Sequence, residues 1–380
     1  MRAFARAPAI LLALALAAPA AEQAAIPAAA AVSAAESPAA PPAPAAAPYK
    51  LQAGPFAVEV AREFVLRDAN RGKDLPVTAT FPKDGGPHPV VIFSHGAGGS
   101  GDAYMPLVRH WAGHGYVCLA PTHADSLSLR EKTEEASGGM AAIVSRALRD
   151  HNGWVNRARD VSFLIDSLAE IQEKVPALKG RIDAKRLGVG GHSYGAMTTQ
   201  LAAGAAIDLP GGEKGKSLAD PRPLAFLLLS GQGTAQMGLT ERSWDAVKRP
   251  MMVMTGTRDR GARGQDWQWR LEPYKFAPPP DKYSVLIDGA NHMSFLGRLA
   301  EGDGGTGGTQ DAAGRGALVR ALLAGVLDDG TDQKAVFDAV KTSTLAFWDA
   351  YLKDDQNARA CLKSDALPAW SKGAVRMERK

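Results

Sequence analysis

The stretch LGVGGHSYGA, residues 187–196, places a serine between two glycines directly after an apolar run. Its centre fits the pattern G-x-S-x-G, in which a serine occupies a sharp turn between a strand and a helix. Alone, five matching letters are weak evidence, because glycine and serine are common residues. The context is stronger, since residues 187–189 are predicted to form a strand and residues 197–206 a helix. The stretch therefore predicts a nucleophile at Ser193.

Short apolar runs alternate with helical segments along the rest of the chain, as in residues 161–168, where the apolar positions share one helix face. This alternation predicts an α/β fold, with a mostly parallel central sheet and helices on both of its faces. Residues 56–66 and 75–81 are predicted to be antiparallel edge strands. The predicted central strands are residues 90–93, 116–120, 187–189, 224–229, 251–254 and 283–287.

A serine hydroxyl is a weak nucleophile at neutral pH, so it needs a base and a carboxylate that orients the base. In this type of sheet the order along the chain is Ser, then Asp or Glu, then His. Of the eight histidines, only His292 follows Ser193, and it lies just past the predicted strand 283–287. We therefore predict that His292 is the catalytic base rather than an ordinary histidine of a surface loop.

Several aspartates lie between Ser193 and His292, and their positions relative to the strands distinguish them. Asp259 follows the predicted strand 251–254 promptly, so it would lie at the same sheet edge as Ser193. We predict Asp259 as the orienting acid, with Asp266 as the alternative. Asp288 precedes a glycine and is expected to serve the turn before His292.

An oxyanion intermediate needs preorganised N–H donors, commonly the residue after the nucleophile and one in the loop after the third strand. The first donor would be the N–H of Tyr194. The second is predicted to be the N–H of Ala97, within the glycine-rich loop 94–99. A phosphate-binding loop would require a lysine and a Ser or Thr that this loop lacks. His95 is expected to brace the loop rather than to take part in chemistry.

Together with further motifs, these residues resemble the α/β-hydrolase superfamily. Within it, the chain is similar to the branch that contains dienelactone-hydrolase-like proteins, platelet-activating-factor acetylhydrolases and cutinase-type polyester hydrolases. The resemblance runs from about Leu66 to the C-terminus. Its further motifs are Leu75-Pro76-Val77 with Phe81-Pro82, residues 91–99, Gly115-Tyr116-Val117, Pro121-Thr122-His123, residues 157–161 and residues 347–352.

The resemblance implies the α/β-hydrolase fold and an esterase with Ser193, Asp259 and His292 as the catalytic residues. It also implies Ala97 and Tyr194 as the oxyanion donors. The chain departs from the branch at two points. Dienelactone hydrolases have cysteine where this chain has Ser193, so their substrate is not implied. Cutinase-type polyester hydrolases lack a segment like residues 125–150, so access for a polymer is not implied either.

Residues 125–150 follow the strand that ends near Pro121, so the segment would emerge at the same side of the sheet as Ser193. It forms either a small helical cap over the site or a peripheral helix pair. Three nearby aromatic side chains either line the same cleft or pack in the core, as aromatic residues more often do. They are His123, Trp154 and Trp244.

The N-terminus has the features of a secretory signal peptide over residues 1–20. Arg2 and Arg6 precede an apolar stretch, and a small-residue cleavage site ends near Ala20. The apolar stretch is shorter than the roughly 20 residues of a membrane helix, so removal of the signal is expected, with no stable membrane span afterwards; the alternative is an uncleaved N-terminal anchor. Residues 21–48 are almost entirely alanine and proline and predict a disordered linker. We therefore predict one hydrolase domain over residues 49–380 in a periplasmic or secreted protein.

The net charge of +4 comes from basic residues scattered among acidic ones. This pattern is typical of a solvated surface, so no nucleic-acid partner is expected. The histidines and cysteines lack the spacing of zinc sites, so no metal or other cofactor is expected. Cys118 lies in a predicted buried strand, and a bridge to Cys361 is therefore not expected. The glycine-rich segment 301–314 is predicted to be a mobile loop.

These observations predict a secreted serine hydrolase that acts on a small-molecule or lipid-like carboxylic ester. An amidase or peptidase would use the same residues, so this alternative stays open. A non-catalytic binding protein with the same fold is disfavoured, because binding does not require a complete set of Ser, Asp and His.

Overall fold

The computed structural model describes residues 47–129, 139–298, 300 and 330–380. The predicted signal peptide, nearly all of the predicted linker 21–48 and the glycine-rich segment 301–314 lie outside the described residues. In the described part of the chain, no helix has the length and apolar character needed to cross a membrane.

A single sheet of nine strands forms the centre of the described fold, in the order β1-β2-β4-β3-β5-β6-β7-β8-β9. The strands are β1 Val58–Asp68, β2 Lys73–Pro82, β3 His88–Ser94, β4 Val117–Pro121, β5 Ile182–His192, β6 Ala225–Leu229, β7 Met251–Gly256, β8 Lys282–Ile287 and β9 Val375–Arg379.

The middle of the sheet is parallel, because strands β3 to β8 make five parallel neighbouring pairs. Strands β1 and β2 are antiparallel at one edge, where antiparallel strands were predicted. Strand β9 adds an antiparallel edge on β8 that the sequence analysis did not predict. The predicted mostly parallel sheet is confirmed.

Helices cover both faces of this sheet. Within the described residues, the helices are α1 Met105–Gly113, α2 Gly139–Arg149, α3 His151–Asp166, α4 Leu168–Lys174, α5 Tyr194–Ala202, α6 Trp267–Arg270, α7 Glu272–Phe276, α8 Gln333–Leu352, α9 Gln356–Lys363 and α10 Ala366–Trp370.

Two hydrophobic cores lie on opposite faces of the sheet because side chains alternate along each strand. In β3, Val90 and Ile92 join the core that contains α3, α4 and α5. Val91 and Phe93 point the other way and join the core that contains α1 and α8. The central strands are therefore buried on both faces, which explains the apolar runs that dominate their sequences.

The two cysteines are both free thiols. Cys118 is buried in β4, and Cys361 is half-buried in α9. Burial raises the pKa of the Cys118 thiol above its usual range, so this side chain packs as a small neutral group.

Candidate active site

Ser193 occupies the turn between β5 and α5. Its backbone has φ 55° and ψ −118°, a conformation that non-glycine residues rarely adopt and that costs about 1–3 kcal/mol. The Ser193 N–H donates to the carbonyl oxygen of Leu229 at 2.9 Å, which holds the strained turn against β6. The serine therefore has the strand, turn and helix context that the sequence predicted.

The two glycines of the turn are required by close backbone contacts. A Cβ atom on Gly191 would lie 2.3 Å from the carbonyl oxygen of Gly195. A Cβ atom on Gly195 would lie 1.9 Å from the carbonyl oxygen of Ser94. The motif thus brings α5 directly against the end of β3, where the glycine-rich loop begins.

We expect Gly195→Ala to destabilise the protein by at least about 3 kcal/mol, the upper end of typical overpacking costs, because the carbonyl of Ser94 is backbone and cannot rotate away. The midpoint of urea unfolding measures this effect. Gly113→Ala is the matched control, since its nearest neighbour would lie at an ordinary 3.6 Å. A Gly195→Ala protein as stable as the wild type would contradict the assigned packing of the turn.

The structure brings Ser193, His292 and Asp259 together at the carboxyl edge of the sheet. His292 Nε2 lies 3.0 Å from Ser193 Oγ, and His292 Nδ1 lies 3.0 Å from Asp259 Oδ1. Asp259 follows β7 and is fully buried, whereas the His292 side chain, after β8, is 34% exposed. If the Nδ1–H donates to Asp259, the Nε2 lone pair is free to accept the proton of Ser193.

The alternative acid, Asp266, is the N-cap residue of α6. Its carboxylate accepts the backbone N–H of Trp269 at 3.2 Å and caps the first turn of α6. Asp288 accepts a hydrogen bond from Thr257 Oγ1 at 3.0 Å, so it serves the turn before His292. The geometry thus favours Asp259 among the three aspartates.

Arg270 is a buried neighbour of Asp259 that the sequence analysis missed. Its Nε atom lies 2.8 Å from Asp259 Oδ1 as an ion pair, although the contact does not have hydrogen-bond geometry. Its Nη1 donates to the carbonyl oxygens of Ser230 and Gly231 at 2.9 and 3.1 Å. Burial alone would raise the pKa of Asp259, but Arg270 and His292 outweigh it and lower the pKa to about 2.

The lowered pKa of Asp259 predicts acid-sensitive stability. Its folded pKa of about 2 is below the usual value of about 3.9, so the stabilisation is complete above pH ~4 and is lost as the pH falls toward 2. Asp125 and Asp160 act in the same direction, since cationic or histidine partners lower the pKa of each below its usual range despite burial. Urea unfolding midpoints measured between about pH 6 and pH 2 should decline. A constant midpoint across that range would contradict the assignment.

Two further side chains fix the position of His292. Ser230 Oγ lies 2.7 Å from His292 Nδ1, beside Asp259. His192, the residue before Ser193, donates its Nε2–H to the carbonyl oxygen of His292 at 2.8 Å. Burial lowers the pKa of His192 well below its usual range, so this ring is neutral. No sequence pattern predicted either contact, although His192 lies within the G-x-S-x-G motif around Ser193.

A hydrogen-bond chain connects His292 with the glycine-rich loop. The Tyr104 hydroxyl lies 2.7 Å from His192 Nδ1 and donates to it. The same hydroxyl accepts the N–H of Gly96 at 3.3 Å. His292 and the loop that contains Ala97 are thus connected by one chain of hydrogen bonds.

The predicted oxyanion donors lie on the two segments that meet at this turn. Tyr194 is the first residue of α5, where a backbone N–H has no acceptor within its own helix. Ala97 lies in a tight turn closed by the hydrogen bond from Gly99 N–H to the carbonyl oxygen of Gly96 at 3.1 Å. A Cβ atom on Gly96 would be only 3.5 Å from Ser193 Cβ, so this loop lies beside Ser193.

The three aromatic side chains that could have lined the cleft are buried instead. Trp154 and Trp244 belong to the core on the α3 face, where Trp244 Nε1 donates to Gln200 Oε1 at 2.8 Å. His123 bridges Ser94 Oγ and Asp160 Oδ2 below the loop, and burial lowers its pKa to about 4. His95 braces the loop as expected, since its Nε2 accepts the backbone N–H of His123 at 3.0 Å.

The described parts of the segment 125–150, residues 125–129 and 139–150, contact the glycine-rich loop 94–99, for which we use the name oxyanion loop in the proposals below. The Leu127 N–H donates to the carbonyl oxygen of Gly98 at 3.1 Å, and the Gly98 N–H donates to Asp125 Oδ2, also at 3.1 Å. A Cβ atom on Gly98 would lie 3.1 Å from Ile143 of α2. These contacts favour a cap, which stays a prediction because residues 130–138 lie outside the described residues.

No group of three or more His, Cys, Asp and Glu side chains in the described part of the chain is arranged to hold a metal ion. The residues around Ser193 instead form hydrogen bonds and ion pairs with one another. The groups close to Ser193 include the imidazole of His292, the carboxylate of Asp259 and the backbone N–H of Tyr194.

The strand order, the turn at Ser193 and the position of His292 after β8 define the α/β-hydrolase fold. The family model named Chlorophyllase matches residues 50–208 of this chain. A platelet-activating factor acetylhydrolase from Cavia porcellus is 25% identical over 178 residues, which cover 38% of this chain and 41% of the relative. The chain thus spans less than half the length of this relative. The predicted resemblance to the α/β-hydrolase superfamily, including the acetylhydrolase branch, is confirmed, whereas the likeness to dienelactone hydrolases stays a prediction.

Proposed function

We propose that this chain is a serine hydrolase that cleaves carboxylic esters through an acyl-enzyme, with Ser193, His292 and Asp259 as its catalytic triad. The observation that carries the proposal is the continuous contact from Ser193 Oγ to His292 and on to Asp259, with both distances at 3.0 Å. The matches to a Chlorophyllase model and to an acetylhydrolase support hydrolysis of an ester, but they do not define which ester is cleaved.

In the acylation step, Ser193 Oγ attacks the ester carbonyl while His292 Nε2 takes the hydroxyl proton. The resulting imidazolium is stabilised by ionised Asp259. His292 then returns the proton to the departing alcohol as the carbon–oxygen bond breaks. In the second half, water attacks the acyl carbon, His292 accepts the proton of the water, and Ser193 leaves as a hydroxyl.

Both tetrahedral intermediates carry a negative oxygen. The N–H groups of Tyr194 and Ala97 are proposed to bind it, since they lie on the two segments beside Ser193. The Ser193 N–H is already bonded to the carbonyl oxygen of Leu229, which leaves this role to the N–H groups of Tyr194 and Ala97.

The substrate is proposed to be a small-molecule or lipid-like ester, encountered in the periplasm or outside the cell. The location rests on the signal-like residues 1–20 and the alanine and proline linker that follows them. The apolar side chains of Leu127 and Ile143 near the oxyanion loop support an apolar substrate group at this side of the site.

Turnover of p-nitrophenyl esters of increasing acyl length, compared with the matching anilides, tests the proposal. A fluorophosphonate probe should label the folded protein, and peptide mass spectrometry should locate the label on Ser193. Preferred cleavage of the anilide would identify an amidase. A folded protein with neither labelling nor turnover would overturn the proposed hydrolase function.

A further inference from the structure

Arg157 is a buried cation beside the active site that the mechanism above does not use. It lies on α3, outside the loops that supply the catalytic groups, and is 2% exposed. A buried guanidinium is costly unless its donors are satisfied, so its partners indicate what it holds in place.

On one side, Arg157 binds the oxyanion loop around Ala97. Its Nη1 donates to the carbonyl oxygen of His95 at 2.8 Å, two residues before Ala97. Its Nε and Nη2 donate to both carboxylate oxygens of Asp125 at 2.8 and 3.0 Å. Asp125 in turn accepts the N–H of Gly98, the residue after Ala97. The chain is therefore held on both sides of the Ala97 N–H.

On the other side, Arg157 stacks on the residue that supplies the second donor. Its guanidinium carbon lies 4.0 Å from the centre of the Tyr194 ring. This ring belongs to the first residue of α5, so the contact sets the start of the helix relative to the loop. One rigid planar group thus contacts both segments that carry the N–H donors.

The charges around Arg157 are balanced. Asp125 is its direct counter-ion, and Arg157 helps to hold the pKa of Asp125 below its usual range in spite of burial. His95 is neutral, because burial and then Arg157 lower its pKa well below the usual value. The guanidinium therefore serves to orient its neighbours in a site from which water is largely excluded.

We propose that Arg157 is a positioning residue that sets the distance between the Ala97 and Tyr194 N–H groups and thereby shapes the oxyanion hole. This inference rests on the proposed function. The proposed role requires a planar guanidinium group with several N–H donors, because its partners are both oxygens of one carboxylate, a carbonyl oxygen and the face of an aromatic ring. A lysine at this position keeps the positive charge, but its single ammonium group can contact only some of these partners.

The test compares Arg157→Lys with the wild type, with kcat expressed per serine titrated by a fluorophosphonate. We expect kcat for a p-nitrophenyl ester to fall on the order of 100-fold, the effect of displacing reacting groups by about 1 Å, while KM changes little. The affinity for a trifluoromethyl ketone, whose serine adduct carries an oxyanion, should fall in parallel with kcat. A purely structural role would lower the amount of active protein and leave these per-site values unchanged.

Arg222→Lys is the matched control. Arg222 also contacts α3, through the carbonyl oxygen of Ser162 at 3.2 Å, and pairs with Asp166 and Asp220 rather than with the oxyanion loop. Its kcat per titrated site should equal that of the wild type.

An Arg157→Lys protein with per-site kcat and ketone affinity equal to those of the wild type would overturn the inference while leaving the proposed function intact. If that variant does not fold, Asp125→Asn provides the test, because it weakens the hydrogen bonds that the Asp125 carboxylate accepts from the Gly98 N–H and from Arg157. A lowered per-site kcat in Asp125→Asn supports the inference, and an unchanged value overturns it. Absence of turnover and labelling in the wild type would instead overturn the proposed function, and the inference with it.

Discussion

The Ser193→Ala variant is expected to lose ester turnover by a factor on the order of 10⁶, because no neighbouring group can replace the attacking oxygen. The serine hydroxyl contacts His292 at the site, whereas the backbone of the turn is held by the N–H bond to Leu229 and by the packing of Gly195. Removal of one hydroxyl should therefore leave the unfolding midpoint close to that of the wild type. Fluorophosphonate labelling should also disappear.

Three measurements on Ser193→Ala distinguish loss of chemistry from loss of fold: the initial rate of ester hydrolysis, the labelling and the urea midpoint. Ser364→Ala is the matched control, because it also removes one serine hydroxyl, which donates to the carbonyl oxygen of Cys361 and accepts the N–H of Ala366. Its ester turnover and labelling should equal those of the wild type. Substantial turnover by folded Ser193→Ala would assign the nucleophile to another residue. An unfolded variant would show that the hydroxyl has a structural role.

The parts of the site that could be predicted from the sequence are those set by local pattern and chain order. Ser193 follows from a five-residue motif between an apolar strand and a helix. His292 follows because it is the sole histidine after Ser193 in the sequence. Asp259 follows because it comes directly after an apolar strand, and parallel strands end at one edge of the sheet. Each inference needs only the fold class and the position of a residue relative to its own strand.

The parts that could not be predicted depend on how distant segments pack. Arg270 lies 11 positions after Asp259 in the chain, and only the paths of α6 and its loop bring its guanidinium to 2.8 Å from that carboxylate. Arg157 was quoted in a motif, yet its contacts with the loop after β3 and with Tyr194 require three separate elements to meet. The spacing of residues along the chain therefore does not predict such contacts between separate elements.

The same limit applies to the fold. Strand β9 was missed because Val375–Arg379 is short and carries two arginines and a glutamate, so it does not look like a buried strand. Its place at the sheet edge allows these side chains to be exposed. Trp154 and Trp244 have core positions rather than cleft positions because their helix or loop packs against the sheet, which their types alone could not indicate.

The Asp259→Asn variant is expected to lose ester turnover by roughly 10⁴-fold per folded molecule. An amide keeps the shape of the side chain but favours the wrong tautomer of His292, since it can donate a hydrogen to Nδ1. Nε2 would then carry the proton and could not accept that of Ser193. The neutral amide would also fail to stabilise the imidazolium formed during acylation.

The same substitution should lower stability, which the loss of a triad acid alone would not require. Arg270 is buried and pairs with Asp259 at 2.8 Å, so the amide leaves a buried cation without its counter-ion. Breaking a buried ion pair in this way costs about 3–5 kcal/mol. The urea midpoint at neutral pH should therefore fall together with turnover, and the decline in stability between pH ~4 and pH 2 should become smaller than in the wild type.

Asp266→Asn is the matched control, because Asp266 was the alternative acid and its carboxylate caps α6 through the Trp269 N–H. Asparagine caps helices about as well as aspartate, so stability should change by less than about 1 kcal/mol and turnover should stay near that of the wild type. Near-normal turnover in Asp259→Asn combined with a large loss in Asp266→Asn would reassign the acid. A loss of turnover in Asp259→Asn without any loss of stability would retain Asp259 as the acid, but it would show that Arg270 does not depend on this carboxylate as its counter-ion.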